Sequence, residues 1–206
     1  MMDTFKELIE IADTLNNPDG GCPWDLKQTF QSLRPYILEE AHEALEAIDN
    51  EEDDRIVEEL GDLFYTVIFY AKVAEREKRF SIKNIIEHLK AKLIRRHPHV
   101  FGEKKAASVE DVIRNWDKIK KDRKSALDGI PQTLPSLQRA YKILCRMKKK
   151  GYSTPSRESE DHADTLAQQI YAIVQRAAEE GVDIESAFRT LLSKEEKSFT
   201  SWEMNT

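Results

Sequence analysis

The sequence predicts an all-α protein. It contains only seven glycines and seven prolines in 206 residues, and charged residues make up 34% of the chain. Long segments repeat apolar residues every three or four positions, which is the period of a helix with one buried face. Together, this composition and this period favour a bundle of helices.

Four helices are predicted in the first hundred residues. Pro35 suits the first turn of the second helix. Ser81 suits the N-cap of the fourth helix, which must end before Pro98. The segment NNPDGGCPWD breaks the chain after the first helix with Pro and Gly. The predicted bounds are about 4–15, 33–48, 54–78 and 82–97.

Further helices are predicted after residue 107. Ser108 is the expected N-cap of a helix in SVEDVIRNWDKIKKDR, with Asp111 at the capping-box position. The stretch DGIPQTLP (128–135) contains one Gly and two Pro and is typical of a linker. A helix over about 136–149, a polar loop and two more helices complete the chain.

Composition and charge exclude several classes of protein. The formal net charge is −6, so the surface as a whole should not attract nucleic acid. No apolar run approaches the ~20 residues of a membrane span, and the acidic N-terminus does not resemble a signal peptide. The two cysteines, Cys22 and Cys145, suggest no disulfide framework, so we expect a cytoplasmic protein.

Two acidic motifs are the most informative feature of the chain. ILEEAHEAL places Glu40 and Glu43 one helical turn apart, and EELGDLF does the same for Glu59 and Asp62. The two pairs can face one another if their helices run antiparallel on either side of the polar connection 49–54. Carboxylate oxygens suit a hard cation such as Mg²⁺. Phosphate groups of a substrate can supply the remaining ligands of such an ion.

The apolar pattern supports two interpretations of these acids. On the second helix, an apolar stripe lies nearly opposite Glu40 and Glu43, which fits a solvated acidic face. The third helix is apolar on almost every side beyond its acids, which predicts burial. Buried carboxylates need a partner, and a metal ion is one. The stripe on the second helix consists of Leu38, Ala41, Leu45 and Ile48.

At these residues the sequence resembles the MazG family of nucleoside triphosphate pyrophosphohydrolases. The family pattern EExxE, a spacer and ExxD is matched by Glu39-Glu40-x-x-Glu43 and Glu59-x-x-Asp62. CPWD, LRPY and RRHPHVFG follow the family order, and the likeness covers about residues 5–124. The segment IPQTLPSLQRAYKILCRMKKKGY is similar to the family's inter-domain linker.

The resemblance implies a set of site residues and a reaction. The reaction is hydrolysis of a nucleoside or deoxynucleoside triphosphate to the monophosphate and pyrophosphate, with Mg²⁺, or Mn²⁺ in its place. Glu39, Glu40 and Glu43 would be catalytic, Glu39 as an outer ligand or as the base that orients water. The implied metal ligands are Glu40, Glu43, Glu59 and Asp62, and the implied substrate contacts are Arg55, Lys92, Arg96 and Trp116.

Simpler roles exist for some of these residues. Lys92 and Arg96 would otherwise be surface residues, and Trp116 a core anchor.

The C-terminal third resembles a damaged second copy of the domain. Aligning the two copies places Thr165 at the position of Glu59 and Gln168 at that of Asp62. The predicted organisation is a MazG-like domain at 1–127, a linker and helix at 128–152, and a degenerate segment at 153–206. The apolar third helix also predicts a homodimer that completes a four-helix bundle.

Two other functions fit parts of the sequence. One is a nucleotide- or alarmone-binding regulator that binds Mg²⁺–nucleotide without turnover. The other is an interaction module that touches nucleic acid through Arg146 and 148–150. The negative net charge argues against the second, and cations at a helix end also complement its dipole.

Overall fold

The computed structural model describes residues 2–102, 108–112, 125–152 and 161–204. Within these ranges every extended regular element is a helix, so the predicted all-α class is confirmed, and no described helix is long and apolar enough to cross a membrane. A short 3₁₀ turn covers Asp25–Lys27. The helices are α1 (Met2–Leu15), α2 (Arg34–Asp49), α3 (Asp53–Arg76), α4 (Ile82–Arg96), α5 (Pro98–Phe101), α6 (Ser136–Lys149), α7 (His162–Glu180) and α8 (Ile184–Met204).

Local start and stop signals placed most helix ends well. Ser81 forms the expected N-terminal box of α4, in which Asn84 accepts from the Ser81 backbone N–H at 2.9 Å. The Asp111 N–H donates to Ser108 Oγ at 3.2 Å, and residues 109–112 are helical. The rest of that predicted helix, including Trp116, lies outside the described residues. The four-residue α5 was not predicted. Pro98 was expected only to end α4, but it also occupies the first position of α5.

The chain divides into two compact units, Met1–Ile119 and Lys120–Thr206. In the first unit, α2 packs along α3, and α1 and α4 also contact α3. In the second unit, α6 packs on α7 and α8. Both cysteines are unpaired.

A tight turn sets α2 and α3 side by side. Only residues 50–52 join the helices, and Glu51 adopts a left-handed conformation with φ +59°. The Glu52 N–H then donates to the Ala47 carbonyl at 3.1 Å. Leu33 near the start of α2 packs with Phe69 and Val73 of α3 in a buried cluster. The helices therefore run antiparallel, with small buried alanines, Ala44 and Ala47, on α2 between the two ends.

The apolar stripe predicted to bury α2 is instead largely exposed. Leu38 is 60% exposed and Ile48 is 48% exposed. Glu40 and Glu43, opposite this stripe, are half-buried rather than fully exposed. Small side chains face α3 because they let the helices approach closely. On α3, burial on all sides holds only for the C-terminal half, since Val57, Leu60 and Phe64 are exposed.

Arg76 fastens the loop before α2 to α3. Its guanidinium donates to Asn16 Oδ1 at 2.9 Å, to the Asp25 carbonyl at 3.0 Å and to the Gln28 carbonyl at 2.6 Å. Lys72, one turn earlier, is buried and bonds Asp13 of α1 at 2.6 Å. Lys72 and Arg76 of α3 therefore both bind residues of the segment that precedes α2.

We expect Arg76→Met to lower the free energy of unfolding by about 2–4 kcal/mol, because it leaves half-buried carbonyls without their charged donor. Urea unfolding followed by circular dichroism measures this. Arg95→Met, at an exposed position on α4, is the matched control and should change stability little. Equal effects of the two variants would show that the three hydrogen bonds contribute nothing specific.

Candidate metal centre

Three carboxylates converge between α2 and α3. Glu40 and Glu43 of α2 and Glu59 of α3 each offer one oxygen, and these oxygens all lie within 4.8 Å of one another. All three residues are half-buried, and the Glu59 side chain is only 12% exposed. One cation between them could contact oxygens from both helices. The motif spacing predicts that four acids face one another, and three of them converge here.

Asp62 lies at the rim of this group. It is exposed and is not one of the three converging residues. Its charge nevertheless raises the pKa of Glu40 more than the charge of any other acid does. The antiparallel pairing explains this. Glu43 faces Glu59, and Glu40 and Asp62 each lie one turn further from the connection between α2 and α3. Glu39 is exposed, and among the acids that raise the pKa of Glu40 it has the smallest effect.

Burial and mutual repulsion make ionisation of these acids unfavourable. The pKa of Glu40 is raised, first by burial and then by the charges of Asp62, Glu43, Glu59 and Glu39. The pKa of Glu59 is raised by burial and by Glu43, while Arg55 opposes the rise. A bound cation would relieve both penalties at once. The donor set therefore fits a hard divalent ion.

Arg55 is paired with acids at the edge of the cluster. It contacts Glu52 at 2.9 Å, Glu46 at 3.3 Å and Glu59 at 3.8 Å. These hydrogen bonds to Glu52 and Glu46 raise the pKa of its guanidinium. Arg55 therefore joins the end of α2 to the start of α3 and partly neutralises Glu59. Sequence reasoning missed Glu46 and Glu52 as its partners.

The predicted basic pair lies on α4. Lys92 is half-buried and lines an open groove with residues of the same helix and Phe80. The charges that most affect the pKa values of Glu40 and Glu59 are those of other acids and, for Glu59, of Arg55. Lys92 and Arg96 are not among them. The structure thus brings Glu40, Glu43 and Glu59 together, with Asp62 and Arg55 beside them, and leaves the basic pair on a neighbouring helix.

Comparison with known proteins identifies the family. Residues 28–101 match the family model described as the MazG nucleotide pyrophosphohydrolase domain. An uncharacterised 26.1 kDa protein of Streptomyces cacaoi is 30% identical over 188 residues, which cover 88% of this chain and 76% of that protein. The chain belongs to the MazG family. The matched segment contains every predicted acid of the site, together with Arg55, Lys92 and Arg96.

Two named relatives are more similar to this chain but longer. The nucleoside triphosphate pyrophosphohydrolase of Escherichia coli K12 is 43% identical over 157 residues, covering 73% of this chain and 60% of that protein. The nucleoside triphosphate pyrophosphohydrolase/pyrophosphatase MazG of Thermotoga maritima is 42% identical over 144 residues, covering 68% and 54%. The chain thus spans little more than half the length of these relatives.

We expect Glu40→Gln to raise the melting temperature of the metal-free protein at pH 7, because it removes a charge that burial and four acids disfavour. The gain should shrink as the pH falls through the raised pKa of Glu40, where the wild-type carboxyl is itself neutral. The variant should also lose the stabilisation that Mg²⁺ or Mn²⁺ gives the wild type.

Thermal melts with and without Mn²⁺ from pH 4.5 to 8 provide the measurement. Glu7→Gln, an exposed carboxylate on α1, is the control and should behave like the wild type. A Glu40→Gln protein that is less stable without metal, yet still stabilised by Mn²⁺, would contradict this account of the cluster.

Proposed function

We propose that this chain is a nucleoside triphosphate pyrophosphohydrolase. It would hydrolyse nucleoside and deoxynucleoside triphosphates to monophosphates and pyrophosphate. One observation carries the proposal: three half-buried carboxylates from two antiparallel helices converge within 4.8 Å in a MazG-family chain. The names of the Escherichia coli and Thermotoga maritima relatives support the same activity.

The acidic cluster would hold Mg²⁺, with Mn²⁺ as a substitute. Glu40, Glu43 and Glu59 would be its ligands, with Asp62 completing the set from the rim. When bound, the cation would neutralise triphosphate charge and polarise the attacked phosphorus. The raised pKa values of Glu40 and Glu59 support this assignment, because burial and neighbouring acids disfavour their charge, and Arg55 opposes this only in part at Glu59.

The other side chains would handle water and phosphate. Exposed Glu39 would orient the attacking water and accept its proton. Lys92 and Arg96, four apart on α4, would donate to the leaving pyrophosphate. Arg55 would add a third positive charge, and Trp116 would contact the nucleotide. The roles of these five residues are predictions from the family pattern.

In the described part of the C-terminal unit, the two positions aligned with Glu59 and Asp62 are not acids. Thr165 donates to the Asp161 carbonyl at 3.0 Å and Gln168 donates to Asp164 at 2.9 Å. Both positions therefore make hydrogen bonds within or next to α7, and neither offers a carboxylate. This supports a degenerate second copy whose role is packing or assembly, so catalysis would rest on the first unit.

We also propose a homodimer in the cytoplasm. Both helices of the α2–α3 pair expose several large apolar side chains, and groups of exposed apolar residues often mark protein–protein interfaces. A second copy packed on them would complete a four-helix bundle. The exposed side chains are Leu38, Leu45, Ile48, Val57, Leu60 and Phe64.

Product analysis tests the reaction. The full chain, incubated with Mg²⁺ and each common nucleoside triphosphate, should release monophosphate and pyrophosphate, resolved by anion-exchange chromatography. Glu40→Gln should lower kcat about 100-fold or more, because it removes a charged ligand, whereas Glu7→Gln should not. Diphosphate plus phosphate would overturn the mechanism. Binding without product would favour the nucleotide- or alarmone-binding regulator.

Light scattering tests the assembly. The wild type should have the mass of two chains at micromolar concentration, and Leu60→Glu should have the mass of one, because a charge on the shared apolar face is not solvated. Glu87→Lys, at an exposed polar position on α4, should leave the mass unchanged. A monomeric wild type would contradict the dimer.

A further inference from the structure

An exposed aromatic pair stands beside the acidic cluster. The rings of Trp24 and Tyr36 are 5.7 Å apart between centroids and nearly perpendicular. Trp24 also lies 6.1 Å from Phe69, which is buried. Despite these contacts, Trp24 is 48% exposed and Tyr36 is 38% exposed. Packing therefore holds both rings in place while a large part of each residue remains open to solvent.

The pair opens on the same side of α2 as the acids. Tyr36 precedes Glu40 by four residues, about 6 Å along the helix axis. At roughly 100° per residue, Tyr36 lies within about 40° of both Glu40 and Glu43 and about 160–180° from Leu38 and Leu45. The aromatic pair is thus separate from the apolar face proposed for the dimer.

The same placement holds on α3. Phe69, the support of Trp24, follows Asp62 by seven residues, which is two turns or about 10 Å. On each helix, an acid and an aromatic residue therefore lie on the same face within two turns of one another. A ribose between a base and its phosphates can bridge a gap of this size.

The loop holds Trp24 in place. The Trp24 carbonyl accepts from Gln28 Nε2 at 3.0 Å, and the next residue, Asp25, is buried. Arg76 donates to the Asp25 carbonyl at 3.0 Å. A ring held in this way loses little conformational freedom when a flat ligand binds to its open side.

We propose that the open faces of Trp24 and Tyr36 bind the nucleobase of the triphosphate. The proposal rests on the function given above. Stacking requires only a π face, which every base has. The pair therefore accepts purines and pyrimidines alike, and the larger purine rings bind more tightly. Base selection by this pair comes from ring size rather than from hydrogen bonds to base edges.

Two ligands separate base binding from phosphate binding. One is the α,β-imido analogue of ATP, which carries a base, and the other is inorganic tripolyphosphate, which does not. Calorimetry with Mg²⁺ measures the Kd of both for the full-length wild type, Trp24→Ala, Trp24→Phe and Tyr36→Ala. Trp202→Ala, which removes a 62% exposed ring in the second unit, is the matched control.

Trp24→Ala should raise the Kd of the ATP analogue about 5- to 100-fold and change the Kd of tripolyphosphate less than about twofold. Tyr36→Ala should have a smaller effect in the same direction. Trp24→Phe, which keeps a ring, should recover most of the loss, and Trp202→Ala should match the wild type. Circular dichroism confirms that each variant is folded, and Tyr36→Ala carries the test if Trp24→Ala is not.

Equal weakening of both ligands would overturn the proposal, because Trp24 would then act only by supporting the acids. Unchanged binding of the ATP analogue by folded Trp24→Ala and Tyr36→Ala would also overturn it. Wild-type turnover separates this failure from that of the proposed function. If the wild type releases monophosphate and pyrophosphate, only the base site is wrong. If it binds neither ligand, both proposals fall.

Discussion

The crowding of negative charge between α2 and α3 is the constraint on which the first unit depends. Electrostatics alone would drive these helices apart, since three carboxylates converge within 4.8 Å. The buried cluster of Leu33, Phe69 and Val73 holds them at one end. The short turn and the ion pairs of Arg55 hold them at the other. Packing energy thus maintains an arrangement of acids that is ready for a cation, as is common where function requires strain.

The same constraint explains why α2 has its small side chains inside. Two helices must approach closely for carboxylates on both to share one ion, and alanine permits that approach. The larger apolar side chains then turn outward, where Leu38 and Ile48 are exposed. A helical wheel identifies the apolar stripe of α2 correctly. It does not reveal whether α3 or another surface covers that stripe, because this depends on contacts distant in sequence.

Local signals in the sequence predicted the helices and the acid pairs. Ser81 and Pro98 marked the ends of α4, and three-residue spacing placed Glu40 with Glu43 and Glu59 with Asp62. The features that the sequence did not predict depend on contacts between residues that are distant in the chain. Arg55 reaches Glu46, nine residues away, only across the turn, and Trp24 meets Phe69, which is 45 positions further along the chain, only after the loop folds back. The predicted roles of Lys92 and Arg96 require the position of α4 relative to a bound substrate.

The short connection between α2 and α3 also bears on how the unit folds. Residues that meet near the turn of this hairpin, such as Glu43 and Glu59, are separated by few positions, so closing the loop between them costs little entropy. The hairpin is therefore expected to form early, when little else is available to offset the repulsion of its acids. Counter-ions in the solvent would lower that barrier. Folding rate, and not only the final state, should thus depend on divalent cations through the Glu43–Glu59 pair.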